Sequence, residues 1–157
     1  MLDHRDFLAD PSRDCRRELA EWLLEDLEDS GAIVVYSSFE KTVLGNLGKL
    51  FRDLEPDLDG CIDRLFDLEK AFRSWFYHPA FRGRTSIKVT LPALVDLSYD
   101  GLAIADGDTA VAKYARMARG EITGDTARDV RRALLEYCKR DTLAMVRLHE
   151  RLLNLCR

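Results

Sequence analysis

The sequence lacks paired cysteines and clustered histidines. Its four cysteines are scattered without any Cys-x-x-Cys pair, and its three histidines stand at no ligand spacing. Scattered thiols of this kind are not typical of a zinc site or of a disulfide framework. A reducing compartment is therefore expected, and the cytoplasm is the predicted location.

Long apolar runs and an excess of positive charge are also missing. No apolar segment approaches the length of a membrane span, and the first residues are too polar for a signal peptide. The net charge of −4 gives no global sign of a nucleic-acid-binding protein, although basic residues can be concentrated locally. With 157 residues, of which 46% are hydrophobic, and without repeats or linkers, the chain is predicted to form a single domain over residues 1–157.

The first part of the chain alternates helical and strand patterns. Apolar residues at helical spacing predict a helix over residues 14–29, and Gly31 ends the pattern. Residues 32–36 form an apolar, β-rich run without alternation, which is typical of a strand buried on both faces. A second helix is predicted over residues 38–51. This order is typical of an α/β protein and not of a helix bundle.

The rest of the chain is predicted to be mostly helical. Residues 55–60 predict a turn, whereas residues 61–67 fit the end of a helix or a second short strand equally well. Helices are expected over residues 108–118 and over residues 125–155. Whether the last helix bends near residues 137–141 stays open.

Residues 70–95 lack acidic side chains but are rich in basic and aromatic ones. Positive charge with interleaved aromatic rings is what a groove for single-stranded nucleic acid needs, and Arg82, Arg84 and Lys88 are the predicted phosphate contacts. Ser86 is expected to cap a following helix, whose N-terminus could also meet a phosphate. The alternative is that the rings are core residues and the arginines lie over them.

Two further segments carry residues suited to catalysis. Tyr137 and Asp141 are four residues apart on a helical pattern, about 40° apart around the helix axis, so they share one face. Such a face can hold a metal-binding carboxylate beside a phenol that orients a water molecule. Glu40 follows the predicted strand, but Ser37-x-x-Glu40 also fits a capping box that needs no metal, and the two interpretations stay open.

Three segments, read together, resemble a known family. They are residues 37–42 (SSFEKT), 83–94 (GRTSIKVTLPAL) and 134–142 (LLEYCKRDT). The series resembles the C-terminal part of an uncharacterised bacterial family, the domain of unknown function DUF2779, over nearly the whole chain. That family is regarded as RNase H-like and related to the tyrosine-type DEDD 3′–5′ exonucleases. The resemblance implies an α/β, RNase H-like domain that lacks its first strands and is therefore predominantly helical with one or two short strands.

The resemblance also implies a reaction. Enzymes of that superfamily cleave phosphodiesters in DNA or RNA with two Mg²⁺ or Mn²⁺ ions about 4 Å apart, which four carboxylates hold. By resemblance, Glu40 is the second-motif carboxylate, Asp141 is the last carboxylate, and Tyr137 orients the attacking water. Glu40 and Asp141 are thus the expected metal ligands, and nucleic acid is the expected partner.

The family's first motif, Asp-x-Glu on an opening strand, has no counterpart in this sequence. Three Asp-Leu-Glu triplets begin at Asp26, Asp53 and Asp67, but none follows an apolar strand in the right order, so none is assigned as a metal ligand. Two carboxylates are too few to bind Mg²⁺ tightly, and the chain alone is expected to be inactive. It is expected to associate as a homodimer or with a missing N-terminal segment. The alternative is a non-catalytic nucleic-acid-binding or assembly module that keeps the fold.

Overall fold

Helices account for most of the structure, and two short strands lie among them. The computed structural model describes residues 2–156. Its elements in chain order are α1 (Arg16–Leu27), β1 (Ile33–Val35), α2 (Phe39–Leu50), α3 (Glu55–Asp63), β2 (Leu65–Asp67), α4 (Leu68–Trp75), a 3-10 turn (Pro79–Phe81), α5 (Ile87–Leu94), α6 (Gly107–Ala118) and α7 (Gly124–Leu155). The prediction of a predominantly helical α/β chain with one or two short strands is confirmed.

The two strands pair in parallel. The register runs from Ile33 opposite Leu65 to Val35 opposite Asp67. Because parallel strands need a crossover connection, α2 and α3 lie between them in the chain. The predicted first strand is confirmed, and residues 61–67 contain both predicted alternatives, the end of α3 followed by β2.

The first core cluster lies among α1, α2 and α3. Its buried members are the apolar residues Ala20, Leu44, Leu47, Leu58 and Cys61. Ile33 and Leu65 of the strands pack against it. Arg64 secures the end of α1, since its guanidinium donates to the carbonyls of Glu28 and Ser30 at 2.7 and 2.8 Å. One face of the strand pair is therefore packed against three helices.

The second core cluster is built by α4, α5, α7 and the segments that connect them. Its buried members are Leu68, Phe72, Phe81, Leu91, Tyr99, Ala144 and Leu148. Val34 and Tyr36 pack against it. Because successive side chains of a strand point to opposite faces, the two clusters cover both faces of β1. The expected homodimer concerns a second chain and stays a prediction.

A third, smaller cluster joins α6, α7 and the irregular N-terminal segment. Its buried members are Ile104, Met117, Ile122, Val130 and Leu134. Tyr114 packs against this cluster, and its hydroxyl donates to the carbonyl of Ala9 at 3.5 Å. Arg131 donates to the carbonyl of Leu8 at 2.7 Å. The N-terminal segment is thus tied to α6 and α7.

One predicted element is wrong. Residues 55–60, predicted as a turn, lie inside α3. Pro56 is tolerated there because the N–H groups of a first helical turn have no partners to lose, and acidic residues favour the same end. The helices predicted over residues 14–29, 38–51, 108–118 and 125–155 begin within two residues of their predicted starts, whereas α4 had no predicted counterpart. Helix α7 runs uninterrupted through residues 137–141. In the described part of the chain, every helix is too short or too polar to cross a membrane.

Candidate functional site

A cleft of about 490 Å³ brings together the three side chains predicted to act in catalysis. Glu40, Tyr137 and Asp141 all line it. Much of the remaining wall is apolar and includes Phe39, Ile87, Ala110, Val111 and Met145. Carboxylates beside apolar walls lose hydration, so the cleft favours a ligand that brings positive charge to them.

The three side chains reach the cleft from two helices. Glu40 lies in the first turn of α2, directly after β1. Tyr137 and Asp141 lie one turn apart on α7, and the structure places both in the cleft wall. Gly107 and Asp108, at the start of α6, line the cleft as well. In α/β folds, ligands commonly bind beyond the carboxyl ends of the strands. Glu40 lies in this position, since it follows the carboxyl end of β1.

Glu40 carries an unsatisfied carboxylate oxygen. Its Oε2 atom is buried and has no hydrogen-bond partner among the described residues. Burial raises the pKa of the Glu40 carboxyl above its ordinary value of 4.5, and the negative charges of Asp141 and Asp67 raise the pKa further. An unpaired buried carboxylate is costly, so a cation or a proton at Oε2 would stabilise this part of the fold.

The capping-box interpretation of Glu40 is wrong. The N-cap of α2 is Ser38, and within residues 2–156 no side chain forms a capping hydrogen bond there. In a capping box, the Glu40 carboxylate would accept the N–H of Ser37. That N–H instead donates to Oδ1 of Asp67 at 3.2 Å. The Glu40 carboxylate consequently does not cap the start of α2.

Asp67 links the ends of the two strands close to the cleft. Besides the Ser37 N–H, its Oδ1 accepts the N–H of Lys70 at 3.0 Å and so caps α4. Its negative charge also contributes to the raised pKa of Glu40. Asp67 therefore has a structural role at this point, and its exclusion as a metal ligand stays a prediction.

Tyr99 is a residue of the site that sequence reasoning missed. Its hydroxyl donates to Oδ1 of Asp141, and its side chain is only 7% exposed. The ring centroids of Tyr99 and Tyr137 are 6.1 Å apart. No motif or spacing connects Tyr99 with α7, and its place just before the Asp100-Gly101 turn is the only signal in the sequence that sets it apart.

Tyr137 is held in its protonated form. Burial raises its pKa, and the negative charge of Asp141 raises the pKa further. The phenol therefore remains a hydrogen-bond donor at neutral pH. Its hydroxyl lies beside the start of α6, where a Cβ on Gly107 would be 3.8 Å from the phenol oxygen.

The donor set fits part of a divalent-cation site. Mg²⁺ and Mn²⁺ prefer carboxylate oxygens, and the unpartnered Oε2 of Glu40 is available as a ligand. However, the part of the chain that the structure describes contains no group of three or more acidic, histidine or cysteine side chains placed to hold an ion. Glu40 and Asp141 would need further oxygen ligands, from a nucleic-acid phosphate or from protein outside the described residues.

The predicted nucleic-acid-binding residues lie on a different surface. Arg82 and Arg84 line a groove of about 380 Å³ that Val89 of α5 also lines. Ser86 occupies the N-cap position of α5 as predicted, but in residues 2–156 its hydroxyl forms no capping hydrogen bond. Lys88 follows in the first turn of α5. Of these residues, all of which the structure describes, none is part of the cleft wall, although α5 contributes to both surfaces.

The guanidinium groups of this groove have no partners among residues 2–156. Most arginines that the structure describes donate to a carboxylate or a carbonyl oxygen. The described arginines whose guanidinium has no such partner are Arg73, Arg82, Arg84 and Arg151. Three of these four fall within the stretch that the sequence singles out as basic and aromatic.

The aromatic residues of the same stretch divide into two groups. Phe72, Phe76 and Phe81 pack against one another in the second cluster, with ring centroids about 6 Å apart. Trp75 and Tyr77 are 76% and 85% exposed. The core interpretation therefore holds for the three phenylalanines, whereas Trp75 and Tyr77 are available to a ligand.

A family model described as Domain of unknown function (DUF2779) matches residues 1–86, more than half of the chain. The match includes Glu40 and ends at Ser86, so it does not extend to Tyr137 and Asp141, and it covers less of the chain than the resemblance implied. No curated protein and no solved structure gives a significant match.

Proposed function

We propose that this chain, which belongs to the DUF2779 family, supplies part of the active site of a nuclease that acts on DNA or RNA. The chain would be the part of an RNase H-like, DEDD-type domain that carries the second and last motifs. A parallel strand pair with helical layers on both faces supports an α/β arrangement of this kind. Alone, the chain binds nucleic acid without cleaving it.

One observation carries the proposal. Glu40, Tyr137 and Asp141 come from opposite parts of the chain, yet they line one cleft. In the same cleft, a carboxylate oxygen of Glu40 is buried without a partner among residues 2–156. Folded proteins rarely retain such an atom, and those that do often have a functional reason.

The proposed roles follow from the chemistry of each group. Glu40 and Asp141 hold a divalent cation through carboxylate oxygens. Mg²⁺ or Mn²⁺, when bound, polarises the phosphodiester as a Lewis acid. Tyr137 keeps its proton at neutral pH and donates a hydrogen bond that orients a water molecule beside Asp141.

The same chemistry explains why the chain alone is expected to be inactive. Mg²⁺ loses its bound water reluctantly and demands near-octahedral geometry. Two carboxylates hold it weakly, and the remaining ligands must come from substrate phosphates and from additional carboxylates. A complete site therefore needs a further protein segment or chain.

A second surface supports nucleic acid as the substrate class. Arg73, Arg82 and Arg84 offer guanidinium groups that no protein carboxylate neutralises in the described chain, and phosphates can bind them without breaking an ion pair. Trp75 and Tyr77 present exposed rings in the same stretch. Base stacking on such rings is tolerant of sequence, so the exposed rings and unpaired arginines of this stretch suit a single strand.

A non-catalytic nucleic-acid-binding or assembly module is the alternative. The observation that favours it is the lack of any three-ligand group among residues 2–156. The module shares the basic surface with the nuclease but has no need of a cation. A requirement for Mn²⁺ in any activity or binding at the cleft would therefore separate the two.

Fluorescence anisotropy of a fluorescein-labelled, single-stranded oligonucleotide tests whether the Arg82–Arg84 groove binds nucleic acid. The double variant Arg82→Ala/Arg84→Ala should bind at least about tenfold more weakly, with the salt slope reduced by roughly two. The matched control is Arg128→Ala/Arg132→Ala, which removes two exposed arginines that are ion-paired on α7. Equal weakening in both variants, or no binding by the parent chain, would show that Arg82 and Arg84 do not form a nucleic-acid-binding surface.

Incubation of the same oligonucleotide with the purified chain and Mn²⁺ tests whether the chain alone is inactive. No digestion is expected. Mn²⁺-dependent digestion that Asp141→Ala abolishes would show a complete active site in this chain, and the proposal of a partial site would then be wrong.

A further inference from the structure

The orientation of the Asp141 carboxylate is set by a residue outside α7. The hydroxyl of Tyr99 donates to Oδ1 of Asp141. Tyr99 is itself buried in the second cluster, so its ring cannot readily swing away. One oxygen of the carboxylate is therefore hydrogen-bonded from the core, while the Asp141 side chain also lines the cleft.

The neighbouring residues reinforce this contact. Arg140, directly before Asp141, donates to the carbonyl of Ser98, directly before Tyr99. Two successive residues of α7 thus contact two successive residues of the segment after α5. That segment turns back at once, because the N–H of Leu102 donates to the Tyr99 carbonyl at 3.3 Å. The hydrogen-bonded turn keeps the Tyr99 backbone in place.

The same segment leads into the wall of the cleft. It ends at Asp106, whose side chain caps α6 by accepting the N–H of Thr109 at 2.8 Å. The helix that follows brings Gly107 close to the Tyr137 hydroxyl. The segment over residues 95–106 therefore holds Asp141 through Tyr99 and carries the start of α6 to Tyr137.

We infer that Tyr99 is a positioning residue, which fixes the Asp141 carboxylate in one orientation so that its other oxygen faces the cleft. The inference rests on the proposed function for the purpose of that orientation. It gives the two tyrosines separate tasks. Tyr99 holds the carboxylate from inside the core, and Tyr137 places its hydroxyl in the cleft wall beside the same carboxylate.

The side-chain orientation of Asp141 can be measured without a metal ion. Three-bond couplings from the backbone to the Asp141 carboxyl carbon, measured by NMR, should show one χ1 rotamer in the parent chain. Tyr99→Phe keeps the ring and removes the hydroxyl, and in this variant the couplings should average over rotamers. Tyr114→Phe is the matched control, because it removes a tyrosine hydroxyl bond in the third cluster, and it should leave the couplings unchanged.

A second readout connects the orientation with ligand binding. Mn²⁺ should broaden the signals of Glu40 and Asp141 in the parent chain, and Tyr99→Phe should raise the Mn²⁺ concentration at half-broadening by about tenfold or more. A single Asp141 rotamer in Tyr99→Phe would overturn the inference and leave the proposed function standing. Rotamer averaging without any Mn²⁺ effect in the parent chain would support the positioning role and count against the proposed function.

Discussion

The first and second core clusters cover opposite faces of the same strand, yet they differ in chemistry. The buried members of the first cluster are wholly apolar, apart from the thiol of Cys61. The second includes Tyr99, and Tyr36, which packs against it, is hydrogen-bonded at 2.8 Å to the fully buried Thr90. Polar groups inside a core are tolerated when they are paired, and they restrict geometry. The difference indicates that the first cluster mainly stabilises the fold, whereas the second also orients the cleft.

Individual arginines near the two clusters also differ. Near the first cluster, Arg17 is paired with Asp53 at 2.6 Å and Arg64 binds carbonyl oxygens. On the second, Arg82 and Arg84 have no partner in the described chain. Paired arginines contribute to folding, while unpaired ones are available to a phosphate. The two arginines without a partner among the described residues thus lie on a groove that shares α5, but no lining residue, with the cleft.

The largest effect is expected from Phe72→Ala, which empties the centre of the second cluster. The Phe72 ring is fully buried and contacts Phe76 and Phe81 edge-on, so the free energy of unfolding should fall by about 3–5 kcal/mol. Urea denaturation measures it. Leu58→Ala in the first cluster is the counterpart and should cost about 2–5 kcal/mol. A loss below about 1 kcal/mol for Phe72→Ala would show that the second cluster is not a packed core.

A smaller loss is expected from Arg64→Ala, which tests what holds the first cluster. The variant removes charge-assisted hydrogen bonds to the carbonyls of Glu28 and Ser30, and the free energy of unfolding should fall by about 1.5–3 kcal/mol. Arg52→Ala is the control, because its pair with Glu55 is a solvent-exposed ion pair worth under about 1 kcal/mol. Similar losses in both variants would mean that Arg64 does not secure α1.

Tyr36→Phe probes the polar part of the second cluster. It removes hydrogen bonds to the Thr85 carbonyl at 2.5 Å and to the Thr90 hydroxyl. The free energy of unfolding should fall by about 1 kcal/mol, because Thr90 can still donate to a backbone carbonyl. Differential scanning calorimetry measures the change. No loss would indicate that these hydrogen bonds do not restrict the cluster.

Glu40→Gln should have the smallest effect, and in the opposite direction. Because its carboxyl binds a proton more readily in the folded chain, raising the pH above the ordinary pKa of 4.5 removes stability. The amide of the Glu40→Gln variant does not ionise, so it does not lose stability as the pH rises. The variant should therefore be more stable than the parent chain at neutral pH, by less than about 1 kcal/mol because solvent screens a half-exposed group. The gain should vanish at acid pH. Glu25→Gln, on the exposed face of α1, is the control, and a gain that persists at acid pH would contradict this account.

The sequence was sufficient to predict local structure where one pattern dominated. Helical spacing before Gly31 and the apolar run after it predicted α1 and β1 to within two residues. It was insufficient where one residue type serves two structures, because Pro56 is common both in turns and in the first turn of a helix. Side-chain periodicity could not resolve that ambiguity.

The candidate site was predictable in its residues but not in its geometry. A resemblance suggested Glu40, Tyr137 and Asp141, but only tertiary packing places α2 and α7 along one cleft. Tyr99 reaches Asp141 from a distant segment, and no local pattern encodes such a contact. The Ser37–Glu40 capping box was a sound local inference that a tertiary hydrogen bond to Asp67 displaced.

The most direct test of the partial metal site is the amide NMR spectrum of the parent chain during titration with Mn²⁺. If Glu40 and Asp141 hold a cation together, paramagnetic broadening should begin at the amides around these two residues and at Tyr137, at low millimolar Mn²⁺ or below. The acidic α3, with its exposed carboxylates, serves as an internal control and should broaden later. Broadening that starts at α3, or that never reaches the cleft, would contradict the account.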